Sequence, residues 1–160
     1  MTGVVGADLS GHRFLRGLRS DQVARLAVAA SAVHLPAGRR IFEEGGLASR
    51  FWLITSGHVA LDLHVPGRAP ILIETLGRGD LLGLSWASPP HEWQYGADTV
   101  QATDTFEFDA AAVLTICDGD PELGYQLSRR MLAVAARRMH SSRIRMLDLY
   151  GTPEQQGGPS

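Results

Sequence analysis

Residues 58–83 read HVALDLHVPGRAPILIETLGRGDLLG, and the spacing of their apolar side chains decides the fold class. In residues 58–65 apolar side chains recur at every second position, which predicts a β-strand with one buried face. The residues that share this face are Val59, Leu61, Leu63 and Val65. ILIETL (71–76) is a second strand-like run, bounded by the turn signals VPGR and GRGD. The stretch therefore predicts short strands joined by tight turns.

The same pattern extends in both directions, from Arg39 to Phe108. Further strand-like runs are separated by the turn signals EEGG and SG, and they read RRIF, FWLIT, DTVQA and TFEF. Many short strands at close spacing are typical of a small β-barrel or jelly roll, whereas a helical segment would contain fewer glycines. We therefore predict an α+β protein whose centre, about residues 33–108, is a β-roll or jelly-roll barrel.

The N-terminal flank predicts a flexible start followed by one helix. Residues 1–13 are rich in glycine and are expected to fray. Ser20 is a favourable N-cap, and residues 21–33 carry apolar side chains at helical spacing. The sequence LPAG (35–38) is expected to end this helix.

The C-terminal flank predicts two helices, a short one over 110–117 and a long one that ends near Tyr150. Asp109 is placed to cap the first helix. Asp120-Pro121 begins the second, because proline is tolerated in the first helical turn. The polar, glycine-rich tail at 151–160 is expected to be disordered.

Composition predicts one soluble domain of 160 residues with a net charge of −2. There is no apolar run of the ~20 residues that a membrane span needs, and the N-terminus does not resemble a signal peptide. We therefore expect a cytoplasmic protein. All 15 basic residues are arginine, which is explained either by codon bias in a GC-rich genome, the favoured reason, or by phosphate recognition.

Three segments together resemble the cyclic nucleotide-binding domain family, as in catabolite activator protein-like effector domains. LPAGRRIFEEGGLASRFWLITSGHVAL (35–61) is similar to the family's opening strands, and ETLGRGDLLG (74–83) to its turn into the phosphate-binding cassette. FDAAAVLTICDGDPELGYQLSRRM (108–131) is similar to its two closing helices. The resemblance covers roughly residues 14–150. It implies a β-roll with an N-terminal helix and two C-terminal helices, and a regulatory role without catalysis or a cofactor.

The chain departs from the family at both charged anchors for the ligand. In the family, a Glu that binds the ribose hydroxyl follows the cassette glycine, whereas here Leu84 follows Gly83. The family's phosphate-binding Arg precedes a V-x-A strand, and its position falls here on Gly96, with Ala97 and Asp98 next. Losing one partner of a buried charged pair costs ~2–5 kcal/mol. The resemblance thus implies that cAMP and cGMP bind weakly or not at all, unless Arg78 or backbone amides substitute.

The cassette itself, GLSWASPPHEWQYGAD (83–98), is a loop with three large rings, since two adjacent prolines exclude a helix or central strand. Two alternatives follow. The rings fill the former pocket, or they form an aromatic box for another planar, apolar or anionic ligand. A filled or reshaped pocket is favoured. The candidate ligand-binding residues are Gly83, Leu84, Ser85, Trp86, Trp93, Tyr95, Gly96, Ala97, Asp98 and Thr99.

Other chemistry has little support in the sequence. The six histidines include no H-x-H pair, so we expect no metal site of the cupin kind. Cys117, within VLTIC, is expected to be a buried structural thiol rather than a nucleophile. Neither a nucleophile elbow nor a phosphate-binding P-loop is found. We therefore expect no enzyme, and no metal or cofactor.

The long helix predicts a homodimer. Its first half carries apolar residues that would pack on the β-roll, and its second half carries a coiled-coil-like seam on the other side. The seam residues are Leu132, Ala136, Met139, Arg143, Met146 and Tyr150. An arginine stripe on this helix is expected to be solvated or ion-paired, with nucleic-acid binding as the alternative. Only ten residues follow Tyr150, too few for a helix-turn-helix, so we expect no specific DNA binding.

Two functional hypotheses follow from these patterns. The first is a ligand sensor that transmits a change in the cassette to the long helix and to a regulatory protein partner. The second is an interaction module that keeps the fold without a small ligand. A change in stability on ligand addition would separate them.

Overall fold

The computed structural model of the protein describes residues 3–150, without the side chains at positions 145, 146, 149 and 150. Two short helices precede the strands, namely α1 (Gly6–Ser10) and α2 (Ser20–Ala27). The strands are β1 (Ala30–Leu35), β2 (Arg40–Phe42), β3 (Arg50–Ser56), β4 (Val59–Leu63), β5 (Ile71–Leu76), β6 (Leu81–Leu82), β7 (Gly96–Thr99) and β8 (Thr103–Asp109). The chain then forms α3 (Ala110–Gly119) and α4 (Pro121–Tyr150).

The eight strands form two four-stranded antiparallel sheets, which confirms the predicted fold class. One sheet has the order β1-β8-β3-β6 and the other β2-β7-β4-β5. Side chains from the two sheets meet in the interior, where Phe42 of one sheet stacks on Trp52 of the other at 5.7 Å between ring centroids. The centre of this core is formed by the fully buried Leu53, Val59 and Phe108.

The N-terminal segment, which was expected to fray, contains a helix in the structure. Within the described part of residues 1–13, α1 buries Leu9 completely. His12 is also buried, and its Nε2 lies 2.9 Å from the carbonyl oxygen of Ile54 in β3. His12 thus ties the segment to β3, while α1 packs against α2. Local composition cannot show this, because the stabilising contacts are distant in sequence.

The predicted helix over 21–33 is too long, and Ser20 is not its cap. Ser20 is the first helical residue, and Arg19 at the N-cap donates its backbone N–H to Gln22 Oε1 at 3.1 Å. The helix ends at Ala27, and residues 30–35 form β1, which pairs with β8 from Ala30–Phe108 to Leu35–Thr103. A complete antiparallel ladder with a distant strand has overridden the local helical spacing.

The strand prediction also needs two corrections. DTVQA is only partly extended, since β7 ends at Thr99 and Val100 is exposed. In β4 the alternation breaks at a register shift between Leu61 and Asp62, so that both residues are buried. Val65 lies beyond the end of this strand. The irregularity brings a carboxylate inward, which matters for the site described below.

The two C-terminal helices begin as predicted. Asp109 Oδ1 accepts a hydrogen bond from the Ala112 backbone N–H at 2.9 Å, and Asp120 Oδ1 accepts one from Leu123 at 3.2 Å. The first half of α4 buries Leu123, and further along Leu127 and Val134. Among the described residues no helix has the length and hydropathy that a membrane span requires.

Candidate functional site

A cavity of about 410 Å³ lies between the β2-β7-β4-β5 sheet, the cassette and α4, and we call it the inner cavity. Its size is within the usual range of small-molecule sites. The sheet, the cassette and the helix all contribute to it. The lining residues are Phe42, Leu61, Ile73, Glu74, Gly83, Leu84, Ser85, Trp93, Gln94, Tyr95, Ala135, Arg138, Met139, Ser142 and Arg143.

Trp86 belongs to the core and not to the inner cavity. The cassette turns into a short 3₁₀ helix over Ser85–Ala87, which directs the indole inward. Trp86 is 4% exposed, stacks on Phe51 at 4.4 Å, and donates its Nε1–H to the Gly83 carbonyl at 3.2 Å. This ring therefore fills interior space, as the first of the two alternatives proposed.

Trp93 forms a wall of the inner cavity. It is 6% exposed and stacks on Phe42 with 3.9 Å between centroids. Its backbone is held by the preceding turn, since Gly45 N–H donates to the Trp93 carbonyl at 2.8 Å and Trp93 N–H donates to Gly46 at 2.9 Å. Tyr95, half-buried, lines the same cavity. These two rings leave the cavity open and line it.

Gly83 is required where the cassette begins. Its φ of +100° lies in the left-handed region, and an added Cβ would come within 3.0 Å of the Trp93 ring. The glycine thus allows the indole to approach the backbone closely. Leu84, the next residue, lines the cavity with an apolar side chain, where the resemblance led us to expect the family's ribose-binding Glu.

A guanidinium from a different strand lies beside Gly96, the position at which the resemblance led us to expect the family's phosphate-binding Arg. A Cβ on Gly96 would lie only 2.6 Å from Cζ of Arg40 in β2. Arg40 Nη1 lies 2.5 Å from Asp62 Oδ2 and 2.8 Å from Asp98 Oδ2, and its Nε lies 3.0 Å from Glu43 Oε1. The hydrogen bonds that Arg40 donates to Asp62 and Glu43 raise the pKa of Arg40.

This cluster, Arg40 with Asp62, Asp98 and Glu43, carries more negative than positive charge. One guanidinium faces three carboxylates, of which Asp62 is buried. Its donors are engaged within the protein, so an added anion would meet net repulsion here. Asp98 was a candidate from the sequence, whereas its partner Arg40 was not. The available signal was Asp62, an acid inside the apolar strand VALDL.

Of the ten candidate cassette residues, half line the inner cavity and half do not. The lining ones are Gly83, Leu84, Ser85, Trp93 and Tyr95. The others are Trp86, Gly96, Ala97, Asp98 and Thr99, which lie in the core or on β7. The Thr99 hydroxyl, for example, donates a hydrogen bond to the Pro36 carbonyl at 2.6 Å, which is a structural role.

The cations that border the inner cavity come from α4. Arg138 is 16% exposed and donates a hydrogen bond to the Leu81 carbonyl, while its Nε lies 3.8 Å from Glu74 Oε2. Burial lowers the pKa of Arg138, an effect that Glu74 opposes. Arg143 is exposed at the edge of the cavity. Arg78 is exposed elsewhere and does not line it.

Other singled-out residues lie apart from this cavity. Cys117 is half-buried on α3, and burial raises the pKa of its thiol. In the part of the chain that the structure describes, no three His, Cys, Asp or Glu side chains are grouped to hold a metal ion.

The predicted seam on α4 is exposed in the single chain. Leu132 is 70% and Met139 64% exposed, and Ala136 and Arg143 are exposed as well. The side chains of Met146 and Tyr150 lie outside the described residues. Met139 also borders the inner cavity, so the seam and the cavity share a residue.

Comparison with known proteins agrees with this architecture. The chain is 26% identical over 137 residues to the CRP-like cAMP-activated global transcriptional regulator of Mycobacterium tuberculosis, which covers 86% of this chain and 59% of that regulator. A cyclic nucleotide-binding domain from Methylobacillus flagellatus KT has a TM-score of 0.75 at 19% identity, covering 87% of this chain and 77% of that one. The Thermus thermophilus catabolite activator protein has a TM-score of 0.68 at 24% identity, covering 87% of this chain and 63% of that one.

The structural likenesses, at these identities, establish the fold alone. The family assignment rests on the sequence profile described as Cyclic nucleotide-binding domain, which matches residues 32–120. Because that match extends over more than half of the 160 residues, the chain belongs to the cyclic nucleotide-binding domain family.

Proposed function

We propose that this domain is a regulatory ligand sensor whose ligand occupies the inner cavity, and that it has lost the family's usual recognition of a cyclic phosphate. The observation that supports the proposal is the inner cavity itself, which opens between the cassette and α4 with mainly apolar walls. A domain that had kept only the fold would be expected to fill this space with side chains.

Cyclic nucleotides are the first ligands to consider, because the Mycobacterium tuberculosis relative is a cAMP-activated regulator. Their phosphate needs a guanidinium with free donors. Arg40, beside Gly96, is already bound by Asp62, Asp98 and Glu43. The loss of one charged partner costs ~2–5 kcal/mol of binding free energy, which corresponds to an affinity about 30-fold to several thousand-fold lower. We therefore expect cAMP and cGMP to bind weakly or not at all.

The lining favours a planar, mostly apolar molecule with an anionic group. Trp93, Phe42 and Leu84 offer flat or apolar contact surface on the side of the β-roll. Arg143 stands at the edge on α4, where it can reach a carboxylate or phosphate. The ligand class is thus a small aromatic anion whose ring lies on Trp93.

The output of the sensor would pass through α4. The helix contributes Ala135, Met139 and Ser142 to the cavity, and its outer side exposes Leu132. A ligand that contacts the helix can change the populations of two helix positions only to the extent that it binds one position more tightly than the other. We propose that this alters the seam, either in a homodimer or with a regulatory protein partner.

A thermal-shift screen of cAMP, cGMP and small aromatic carboxylates and phosphates tests the proposal. We expect an aromatic anion to raise Tm, and we expect Arg143→Gln to weaken its binding while Arg129→Gln on the same helix leaves it unchanged. A screen in which no compound shifts Tm would contradict the proposal.

The exposed apolar residues on α4 favour the second hypothesis, a docking module without a ligand. Leu132 and Met139 are seven residues apart and both largely exposed, as an unpartnered seam requires. In that case Leu132→Glu would abolish partner binding, and no small molecule would alter it.

A further inference from the structure

A second cavity, of about 460 Å³, lies on the other side of α4, and we call it the outer cleft. The N-terminal segment at Arg13 and Phe14, the turn at Gly79–Leu81 and the helix from Arg130 to Arg138 form its walls. It is separated from the inner cavity by Arg138 and Glu74, which line both.

The outer cleft concentrates positive charge in a protein that is negative overall. Four arginines line it, namely Arg13, Arg130, Arg137 and Arg138, against two carboxylates, Glu74 and Asp80. The whole chain has a net charge of −2. The excess of cations is therefore local to this cleft and is not part of a general basic surface.

The two carboxylates neutralise only part of this charge. Asp80 is engaged by Arg13, whose Nη2 lies 2.6 Å from Oδ1. Glu74 stands 3.8 Å from Arg138, a loose contact for a guanidinium that is only 16% exposed. Burial accordingly lowers the pKa of Arg138.

The other two arginines keep unused donors. Arg130 Nη1 donates to the Phe14 carbonyl at 3.3 Å and to the Arg16 carbonyl at 2.9 Å, but its buried Nε–H has no acceptor among the described residues. Arg137 is exposed on the rim and has no hydrogen bond or ion pair within residues 3–150. An unpaired buried donor is unfavourable unless something binds it.

We infer that the outer cleft binds a phosphate group, either as inorganic phosphate or as part of a phosphorylated small molecule. Guanidinium groups are planar donors that match tetrahedral oxyanions, and several of them converging around a concave space is the arrangement such a ligand needs. A phosphate placed there would neutralise the positive charge of Arg137 and Arg138 and accept a hydrogen bond from Arg130.

This inference does not depend on the ligand of the inner cavity, because the two sites can be tested separately. Each is lined by an arginine of α4 that the other lacks. Arg137 lines only the outer cleft and Arg143 only the inner cavity. Replacing either by glutamine removes one positive charge from α4. Since Arg137 has no protein partner in the described chain, Arg137→Gln should leave Tm unchanged.

The experiment titrates the full chain with inorganic phosphate and with glycerol 3-phosphate, an ester without an aromatic ring, at constant ionic strength, by isothermal calorimetry. We expect saturable binding of one ligand per chain, at least tenfold weaker in Arg137→Gln, a change of about 1.4 kcal/mol, and unchanged in Arg143→Gln. Binding of both ligands identifies the phosphate group alone as sufficient, and binding of glycerol 3-phosphate only identifies a phosphate ester.

Three results would overturn the inference. One is the absence of saturable binding of either ligand up to about 10 mM. Another is equal binding by wild type and Arg137→Gln. The third is loss of binding in Arg143→Gln with no loss in Arg137→Gln, which would assign the ligand to the inner cavity and leave the sensor proposal intact.

Discussion

Removing the Trp93 indole should destabilise the protein by less than removing that of Trp86, although the two rings have nearly the same exposure. Trp93 is 6% and Trp86 4% exposed. Burial alone would therefore predict equal costs for the two alanine variants. The difference lies in what surrounds each ring, since Trp93 borders the inner cavity and Trp86 does not.

The magnitudes follow from this difference. Trp→Ala in a core costs ~3–5 kcal/mol, and the cost grows with the closed void that is left. Trp86→Ala leaves such a void against Phe51 and should fall near the upper end, about 4–5 kcal/mol. Trp93→Ala loses its stack on Phe42 but only enlarges a space that water can enter, so about 3 kcal/mol is expected.

Urea unfolding followed by circular dichroism measures both free energies of unfolding. Trp93→Phe is the control, since it keeps a ring on Phe42 and should cost less than about 1.5 kcal/mol. If Trp93→Ala costs as much as Trp86→Ala, the ring plugs the pocket and the inner cavity is not an open site. A cost below about 1 kcal/mol would show that Trp93 does not pack as described.

Further predictions concern charge, pH and assembly. Arg40→Met should destabilise the protein by about 3–5 kcal/mol, because it leaves the buried Asp62 without its partner. Glu43→Gln, at the exposed edge of the cluster, should cost less than about 1 kcal/mol. Chemical denaturation measures both costs, and equal costs would contradict the described pairing of Arg40 with Asp62. Burial lowers the pKa of His12, so the unfolded chain binds more protons than the folded one. The free energy of unfolding should therefore fall as the pH drops below about 6.5. His12→Gln should flatten this pH dependence in thermal melting, and an unchanged slope would refute the assignment to His12. The wild type should sediment as a dimer and the double variant Leu132→Glu, Met139→Glu as a monomer, whereas a monomeric wild type or a dimeric variant would remove the proposed seam.

The pH prediction has a structural cause in how His12 is held. Its Nδ1 accepts a hydrogen bond from the Phe14 backbone N–H at 3.1 Å, and its Nε2 is within hydrogen-bond distance of the Ile54 carbonyl. A neutral ring with the proton on Nε2 satisfies both contacts. Protonation of Nδ1 would remove the acceptor for Phe14, so the folded state favours the neutral form.

The sequence was sufficient for the β-roll and for the starts of its closing helices. Alternation and turn residues report burial of one strand face, and the capping residues Asp109 and Asp120 act within three positions of themselves. It failed at β1, because residues 30–33 continue the helical spacing of residues 21–33 and become extended only by pairing with β8. The N-terminal helix was missed because it is held by tertiary contacts, namely its packing against α2 and the contact of His12 with β3.

The candidate site was predictable only where the family pattern fixes positions. Leu84 and Gly96 were assigned to the two anchor positions by counting along the cassette, and these assignments remain predictions. Arg40 could not, because it reaches Gly96 across a strand pair and is held by Asp62 at a register shift. Arg138 was interpreted as part of a solvated stripe, and its burial depends on where α4 crosses the sheet.

Isothermal titration of the full chain with cAMP and cGMP tests the central claim most directly, with a family member that carries the cassette Glu and Arg as the positive control. The account predicts no binding tighter than about 100 μM for either nucleotide, because Leu84 and the occupied Arg40 provide neither anchor. A dissociation constant at or below about 1 μM, some −8 kcal/mol, would contradict it and show that other donors in the inner cavity recognise the cyclic phosphate.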